Sequence, residues 1–199
     1  RYMIATPHYR PEMFEPSMRD VLRGYHILRE YAADVGISIR LGCEYYRNDQ
    51  MIWHLDRKIR PTMLGSRYVL VEFSTNDSFV TIRNYIYELI THGYNPIVAH
   101  VERYFCCQEV KKVAELKKLG ATIQINADSV LGYDGRKIKK FCLDLMKQDY
   151  LDFVASDAHN MDERKMHLGK SASYIEKKMG KEYAKRIFLE NPRGIWNRR

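Results

Sequence analysis

The sequence predicts an α/β fold built around a parallel sheet, and three observations carry that expectation. Short apolar runs alternate with longer amphipathic stretches along the whole chain. Most of these runs are continuous in Val, Ile, Leu, Ala and Tyr, as parallel strands covered on both faces should be. Five of the six runs end in His, Asp or Glu. In parallel α/β architectures the carboxyl ends of the strands converge on the site.

The strand-like runs are Tyr2–Thr6, Ser38–Glu44, Tyr68–Phe73, Pro96–His100, Thr122–Asn126 and Phe153–Asp157. Between the first two lies Pro16–Val35, with Met18, Val21, Leu22, Tyr25, Leu28 and Ala32 at helical spacing. Asp77–His92 follows the third run through Val80, Ile82, Ile86 and Leu89, with Asn76 or Asp77 as N-cap and Gly93 as stop. Glu109–Leu119 ends at Gly120, and Arg136–Gln148 and Ser171–Glu190 complete the helices. Strict βα alternation requires helical crossovers, so the sheet is either open and doubly wound or curled as a barrel. Six visible strands fit an incomplete barrel better than one of eight. Neither G-x-G-x-x-G nor G-x-x-x-x-G-K-[ST] occurs, which weakens a nucleotide-binding sheet.

At 199 residues the chain suits a single domain spanning 1–199. With 45% hydrophobic and 29% charged residues it is neither disordered nor fibrous. No apolar run approaches the ~20 residues that a membrane span needs. A formal charge of +8 favours anionic partners without choosing among them. The four cysteines (Cys43, Cys106, Cys107, Cys142) form no CxxC pair and no secretion signal is present, so a reducing cytoplasm is expected. The chain begins at Arg1 rather than Met, with Tyr2–Thr6 already reading as the end of a buried strand. An N-terminal piece is therefore expected to be missing.

The ionisable strand ends carry the chemistry. Three of the seven histidines, His8, His100 and His159, fall at strand ends beside Glu44, Glu72 and Asp157. Three unpaired carboxylates on one rim would repel and raise one another's pKa. Divalent cations remove that cost, since imidazole and carboxylate are natural ligands for Zn, Mn or Fe. Asp157 and His159, two apart in an extended segment, point to the same side. Arg103, just past His100, is placed to clamp phosphate oxygens, and Arg164 is a second candidate with a weaker claim. A salt bridge is the simpler reading of an isolated Arg103, and Glu102 reads as a structural partner.

The stretches ATPHYRPEMF (5–14), LGCEYY (41–46), IRPTMLGSRYVLVEFS (59–74), PIVAHVERY (96–104), ASDAHN (155–160) and ENPRGIW (190–196) together resemble the polymerase-and-histidinol-phosphatase (PHP) family of metal-dependent hydrolases. They are most similar to its bacterial protein-tyrosine phosphatases of capsule and exopolysaccharide regulation. The resemblance implies a distorted TIM-like (β/α)7 barrel with up to three metals, Mn foremost, with Fe and Zn as alternatives. It implies that His8, Glu44, Glu72, His100, Asp157 and His159 are metal ligands and that Arg103 and Arg164 bind phosphate. The implied partner is a phosphotyrosine protein, the tail of a cognate membrane-associated tyrosine kinase; an oligomer is left open. The family's opening His-x-His is absent from this chain, in keeping with a missing first strand.

The expected reaction is hydrolysis of a phosphotyrosine monoester. A cysteine phosphatase needs Cys-x5-Arg, but Asp49, Lys112, Val113 and Gln148 stand six beyond the four cysteines. That mechanism is excluded. A histidinol phosphatase, a nuclease and a degenerate phosphotyrosine-binding protein are the competing readings. The lysines lie along outer helices with no aromatic-basic RNA motif, so nucleic acid is not expected as a partner.

Overall fold

The computed structural model describes residues 2–162 and 164–197. Its elements in chain order are β1 (Tyr2–Ala5), β2 (His8–Tyr9), α1 (Met18–Asp34), β3 (Ser38–Leu41), β4 (Glu44–Tyr46), α2 (Met51–Asp56) and β5 (Tyr68–Glu72). There follow α3 (Phe79–Thr91), β6 (Asn95–Val98), α4 (Val110–Leu119), β7 (Thr122–Asn126), α5 (Ala127–Leu131) and α6 (Arg136–Lys147). The chain ends with β8 (Phe153–Ala155), α7 (Leu168–Met179), α8 (Lys181–Lys185), a π-helical turn (Arg186–Glu190) and α9 (Asn191–Trp196).

All six expected strands form, but the first two are each broken in two. Pro7, which has no N–H to donate, interrupts the first between β1 and β2. Gly42-Cys43 interrupts the second between β3 and β4. The breaks lie side by side: β1 pairs with β3, and β2 with β4, both parallel. Two hydrogen bonds carry the ladder across, Gly42 N–H to Ala5 C=O at 2.8 Å and Glu44 N–H to Pro7 C=O at 3.1 Å. A Cβ on Gly42 would meet Met63 Sδ at 3.0 Å and the methyls of Ile4 and Thr6 at 3.3 Å. Gly42→Ala is therefore expected to cost about 1–3 kcal/mol by overpacking, read as a lower urea midpoint with unchanged slope.

The main sheet has the order β2-β4-β5-β6-β7-β8, every pairing parallel. Each strand adds to the same edge as its predecessor. A doubly wound sheet reverses direction part-way, so this one is singly wound, the winding that curls a sheet toward a barrel.

Alternate residues face opposite sides, as the pleat demands. Val69, Val71, Val98, Ile123, Ile125 and Val154 face the helices within the larger core. Leu70, Ile97 and Ala99 face inward and form a second, smaller core with Met63 and with Ile195 of α9. The inner positions of β7 are polar: Gln124 and Asn126 are both buried, and Gln124 Nε2 donates to Asn126 Oδ1 at 3.0 Å.

The helices differ from expectation mostly at their ends. Ser17 caps α1, its hydroxyl accepting from Asp20 N–H at 3.1 Å. Ser78, not Asn76 or Asp77, caps α3 through Thr81 N–H. The expected Ser171–Glu190 helix is divided at Gly180, whose φ of 94° no right-handed helix accommodates. The short helices α2 and α5 were not expected, and each is too brief for the helical period to show.

Candidate functional site

Four of the six expected ligand positions lie at or beyond the carboxyl ends of main-sheet strands, while His8 and Glu44 open β2 and β4. His8 and Glu44 are register partners on β2 and β4, and Glu72 ends β5. His100 follows β6, and Asp157 and His159 follow β8. Two of them leave the ladder in the left-handed region, His100 with φ 31° and Asp157 with φ 48°. That conformation costs a non-glycine residue roughly 1–2 kcal/mol. It also explains why both strands stop short of the sequence-derived ends.

Four of these side chains meet. His100 Nε2 lies 3.0 Å from Glu44 and 3.5 Å from Glu72, while His8 Nε2 lies 3.5 Å from Glu72 and 3.8 Å from Glu44. One donor atom each from His8, Glu44 and Glu72 falls within 4.8 Å of the others, a grouping that could hold a metal ion. Two imidazoles facing two carboxylates are the donor chemistry that Zn, Mn or Fe accepts. The residues present fit a divalent cation.

The charges respond to this crowding. The hydrogen bond to Glu72 raises the pKa of His8 despite its burial, with Glu44, Glu72 and Asp157 adding charge attraction. Burial pushes Glu72 upward, but its contact with His8 and the charge of His100 outweigh it and leave its carboxyl below the usual range. Burial alone would lower His100; the Glu44 hydrogen bond and charge reverse that.

Behind His100, the Tyr104 hydroxyl lies 3.3 Å from Nδ1 and accepts from Phe73 N–H at 3.0 Å. Tyr104 thereby fixes the ring that presents Nε2 to the cluster. Glu102 is fully buried; its Oε1 accepts from Asn126 N–H at 2.9 Å and from Ser129 Oγ at 2.7 Å, while Oε2 has no partner. Ser129 Oγ also lies 2.6 Å from an Asp134 oxygen. Burial raises the Glu102 pKa, against the hydrogen bonds from Asn126 and Ser129 that lower it. A carboxyl raised in the folded state contributes stability that is present below its unfolded pKa and lost as pH rises toward the folded one. Glu102→Gln is thus expected to match the wild type near pH 4 and exceed it increasingly above, by at most about 1.4 kcal/mol per pH unit. Urea unfolding of both proteins across pH 4–8 checks the sign.

Asp157 anchors a second corner. Its Oδ2 accepts from Arg164 at 2.6 Å and from Asn126 Nδ2 at 2.9 Å, and Arg103 Nη1 stands 3.5 Å away. Arg103 therefore pairs with Asp157, while Glu102 serves Asn126 and Ser129. The half-exposed guanidinia of Arg103 and Arg164 flank one carboxylate and open onto a cavity of about 420 Å³. His159 is exposed, with Nδ1 turned to the Asp157 carbonyl at 2.9 Å, yet its ring lies 5.5 Å from that of His8. His159 and Asp157 thus stand outside the tight His8–Glu44–Glu72 group but border it. His8 on β2 and His159, in the segment after β8, are thereby brought into ring contact.

Asn126 and Tyr104 escaped the sequence reading. Asn126 ends the single strand without an ionisable terminus, and its position alone could have singled it out. Nothing in the spacing flags Tyr104. All four cysteines are free, and Cys43, Cys107 and Cys142 are buried with thiols that burial pushes upward.

The family model for capsular polysaccharide synthesis, CpsB/CapC, matches residues 1–197. The chain belongs to the CpsB/CapC family. It is 33% identical over 203 residues to the tyrosine-protein phosphatase CpsB of Streptococcus pneumoniae, covering 98% of this chain and 84% of that protein. A putative tyrosine-protein phosphatase CapC of Staphylococcus aureus is 33% identical over 165 residues, covering 81% and 65%. Among solved structures, this CpsB/CapC chain matches one reported with YwqE from Bacillus subtilis and CpsB from Streptococcus pneumoniae as unique metal-dependent tyrosine phosphatases. The TM-score is 0.83 at 27% identity, over 92% of this chain and 76% of the other.

Proposed function

We propose that this CpsB/CapC chain is a metal-dependent phosphatase that hydrolyses phosphotyrosine on proteins in capsule or exopolysaccharide synthesis. The observation that carries the reading is the meeting of His8, Glu44, Glu72 and His100 beside a carboxylate flanked by two arginines. In this reading those four, with Asp157 and His159, hold divalent cations, Mn foremost, up to three of them. Bound cations supply Lewis-acid activation of water near neutral pH and a clamp on phosphoryl oxygens.

The chain's own groups do the rest. Phosphate bears two negative charges where Asp157 now bears one, so a phosphoryl group beside Asp157 draws Arg103 and Arg164 onto its oxygens. Guanidinium forks match such oxygens and offset charge that grows in the transition state. Glu44 and Glu72 keep His8 and His100 oriented, and Tyr104 holds the far side of His100.

We read the six-stranded sheet as part of a distorted TIM-like (β/α)7 barrel of the PHP type, lacking a first strand between β2 and β8. The approach of His8 to His159 supports that reading. The substrate is the phosphorylated tail of a cognate tyrosine kinase, met in the cytoplasm; among the described residues no helix is long and apolar enough to cross a membrane.

The test is elemental analysis of this chain and of a version extended by a His-x-His strand, each assayed with phosphotyrosine peptide and Mn²⁺. Metal retention with peptide turnover, rising to about three metals in the extended form, supports the reading. Binding of phosphopeptide without turnover, in both forms with metal supplied, overturns it in favour of a degenerate binding protein.

A further inference from the structure

The cavity beside Asp157 has walls that the reading above leaves unused. Besides Arg103, Arg164 and Asn126 it is lined by Asp128, Tyr133 and His167. Asp128 lies in the first turn of α5, directly after β7, and His167 is the N-cap position just before α7. They are 39 residues apart in sequence, yet Asp128 Oδ1 lies 2.7 Å from His167 Nδ1. The Tyr133 ring stands edge-on to the imidazole, 5.0 Å between centroids.

We propose that His167, oriented by Asp128, is the general acid of this site and protonates the tyrosyl oxygen as it leaves phosphorus. The inference rests on the phosphatase reading and adds a residue to it. A carboxylate on Nδ1 fixes that nitrogen as the hydrogen-bond donor, which leaves Nε2 as the one that gives or takes the mobile proton. The arginines and the carboxylates of Asp157 and Asp134 on this wall do not serve. Arginine does not give up its proton. Asp157 accepts from two partners, and Asp134 is engaged with Ser129. Imidazole titrates close to neutral pH, where a proton donor is most effective.

The need for an acid comes from the leaving group. A tyrosyl oxygen expelled bare becomes a phenolate whose conjugate acid has a pKa of about 10. In the proposed step, water oxygen bonds to phosphorus as the phosphorus–tyrosyl oxygen bond breaks. The electron pair of that bond stays on the tyrosyl oxygen, which takes the Nε2 proton. The entering water gives its own proton to solvent, and neutral His167 recovers one from solvent. The products are tyrosine hydroxyl and hydrogen phosphate.

His167 could instead serve only to staple α7 to α5, so the test must separate the two roles. Phenyl phosphate and p-nitrophenyl phosphate differ in the basicity of the leaving oxygen, nitrophenolate being far less in need of a proton. With the metal-loaded protein, His167→Asn is expected to lower kcat on phenyl phosphate by about 10²-fold or more and on p-nitrophenyl phosphate by much less, with metal content unchanged. Asp128→Asn should lower the phenyl phosphate kcat without raising KM, and Asp128→Glu should restore part of it. A second readout needs no turnover. On adding phenylphosphonate, the ¹⁵N resonance of His167 Nε2 should shift while Nδ1 keeps its proton.

Equal losses on both substrates, or a silent Nε2 resonance, would overturn the general-acid role while leaving the phosphatase reading intact. A wild-type protein that retains metal yet hydrolyses neither substrate sinks both.

Discussion

Glu72→Gln is expected to abolish metal retention and to lower phosphotyrosine hydrolysis by about 10³-fold, the several kcal/mol that a Lewis-acid cation contributes. The fold should survive. Glu72 is the last residue of β5, its backbone pairs in the ladder, and its side chain is partly exposed, so the amide occupies the same volume. What changes is charge. Glu72 is shared between His8 and His100 at 3.5 Å each, and despite burial its contact with His8 and the charge of His100 hold its carboxyl below the usual range. A neutral amide offers a cation one weak donor where the carboxylate offered two charged ones. Elemental analysis after gel filtration reads the metal, and unfolding midpoints confirm that the variant is folded. Full metal content in Glu72→Gln would mean that the cation sits elsewhere.

Arg103→Ala is expected to separate chemistry from metal binding. Its guanidinium stands 3.5 Å from Asp157 and touches none of His8, Glu44, Glu72 or His100. Metal content should therefore stay at the wild-type level, while kcat on a phosphotyrosine peptide falls by roughly 10²–10³-fold, the effect of losing one donor to developing charge. Arg103→Lys should recover only part, because an ammonium is a point charge without the planar fork. Folding should be nearly unaffected, since the side chain is half exposed and pairs of that kind contribute about 0–1 kcal/mol. A proportional fall in metal and activity would recast Arg103 as a structural prop for Asp157.

Much of this was legible one residue at a time. Apolar runs bounded by polar ends marked all six strands, because burial on both faces of a parallel sheet leaves no room for polar residues except at the ends. The same reasoning marked His8, Glu44, Glu72, His100, Asp157 and His159. It overran at His100 and Asp157, where a left-handed turn ends the pairing without any glycine to announce it. It missed the paired breaks at Pro7 and Gly42, since each break is tolerated only because the other lies beside it.

Three relations were visible only in three dimensions. Strand order decided between a doubly wound and a singly wound sheet, because βα alternation is common to both. Side-chain packing decided that four of the six rim residues meet while Asp157 turns instead to Arg103, Arg164 and Asn126. The pairing of Asp128 with His167 depends on two helices that follow neighbouring strands, β7 and β8. The sequence by itself determined which residues stand at strand ends, since local apolar patterning and strand length are properties of a segment. Which of those ends face one another belongs to the tertiary structure alone, because distance between segments is set by how the sheet curls and not by spacing along the chain.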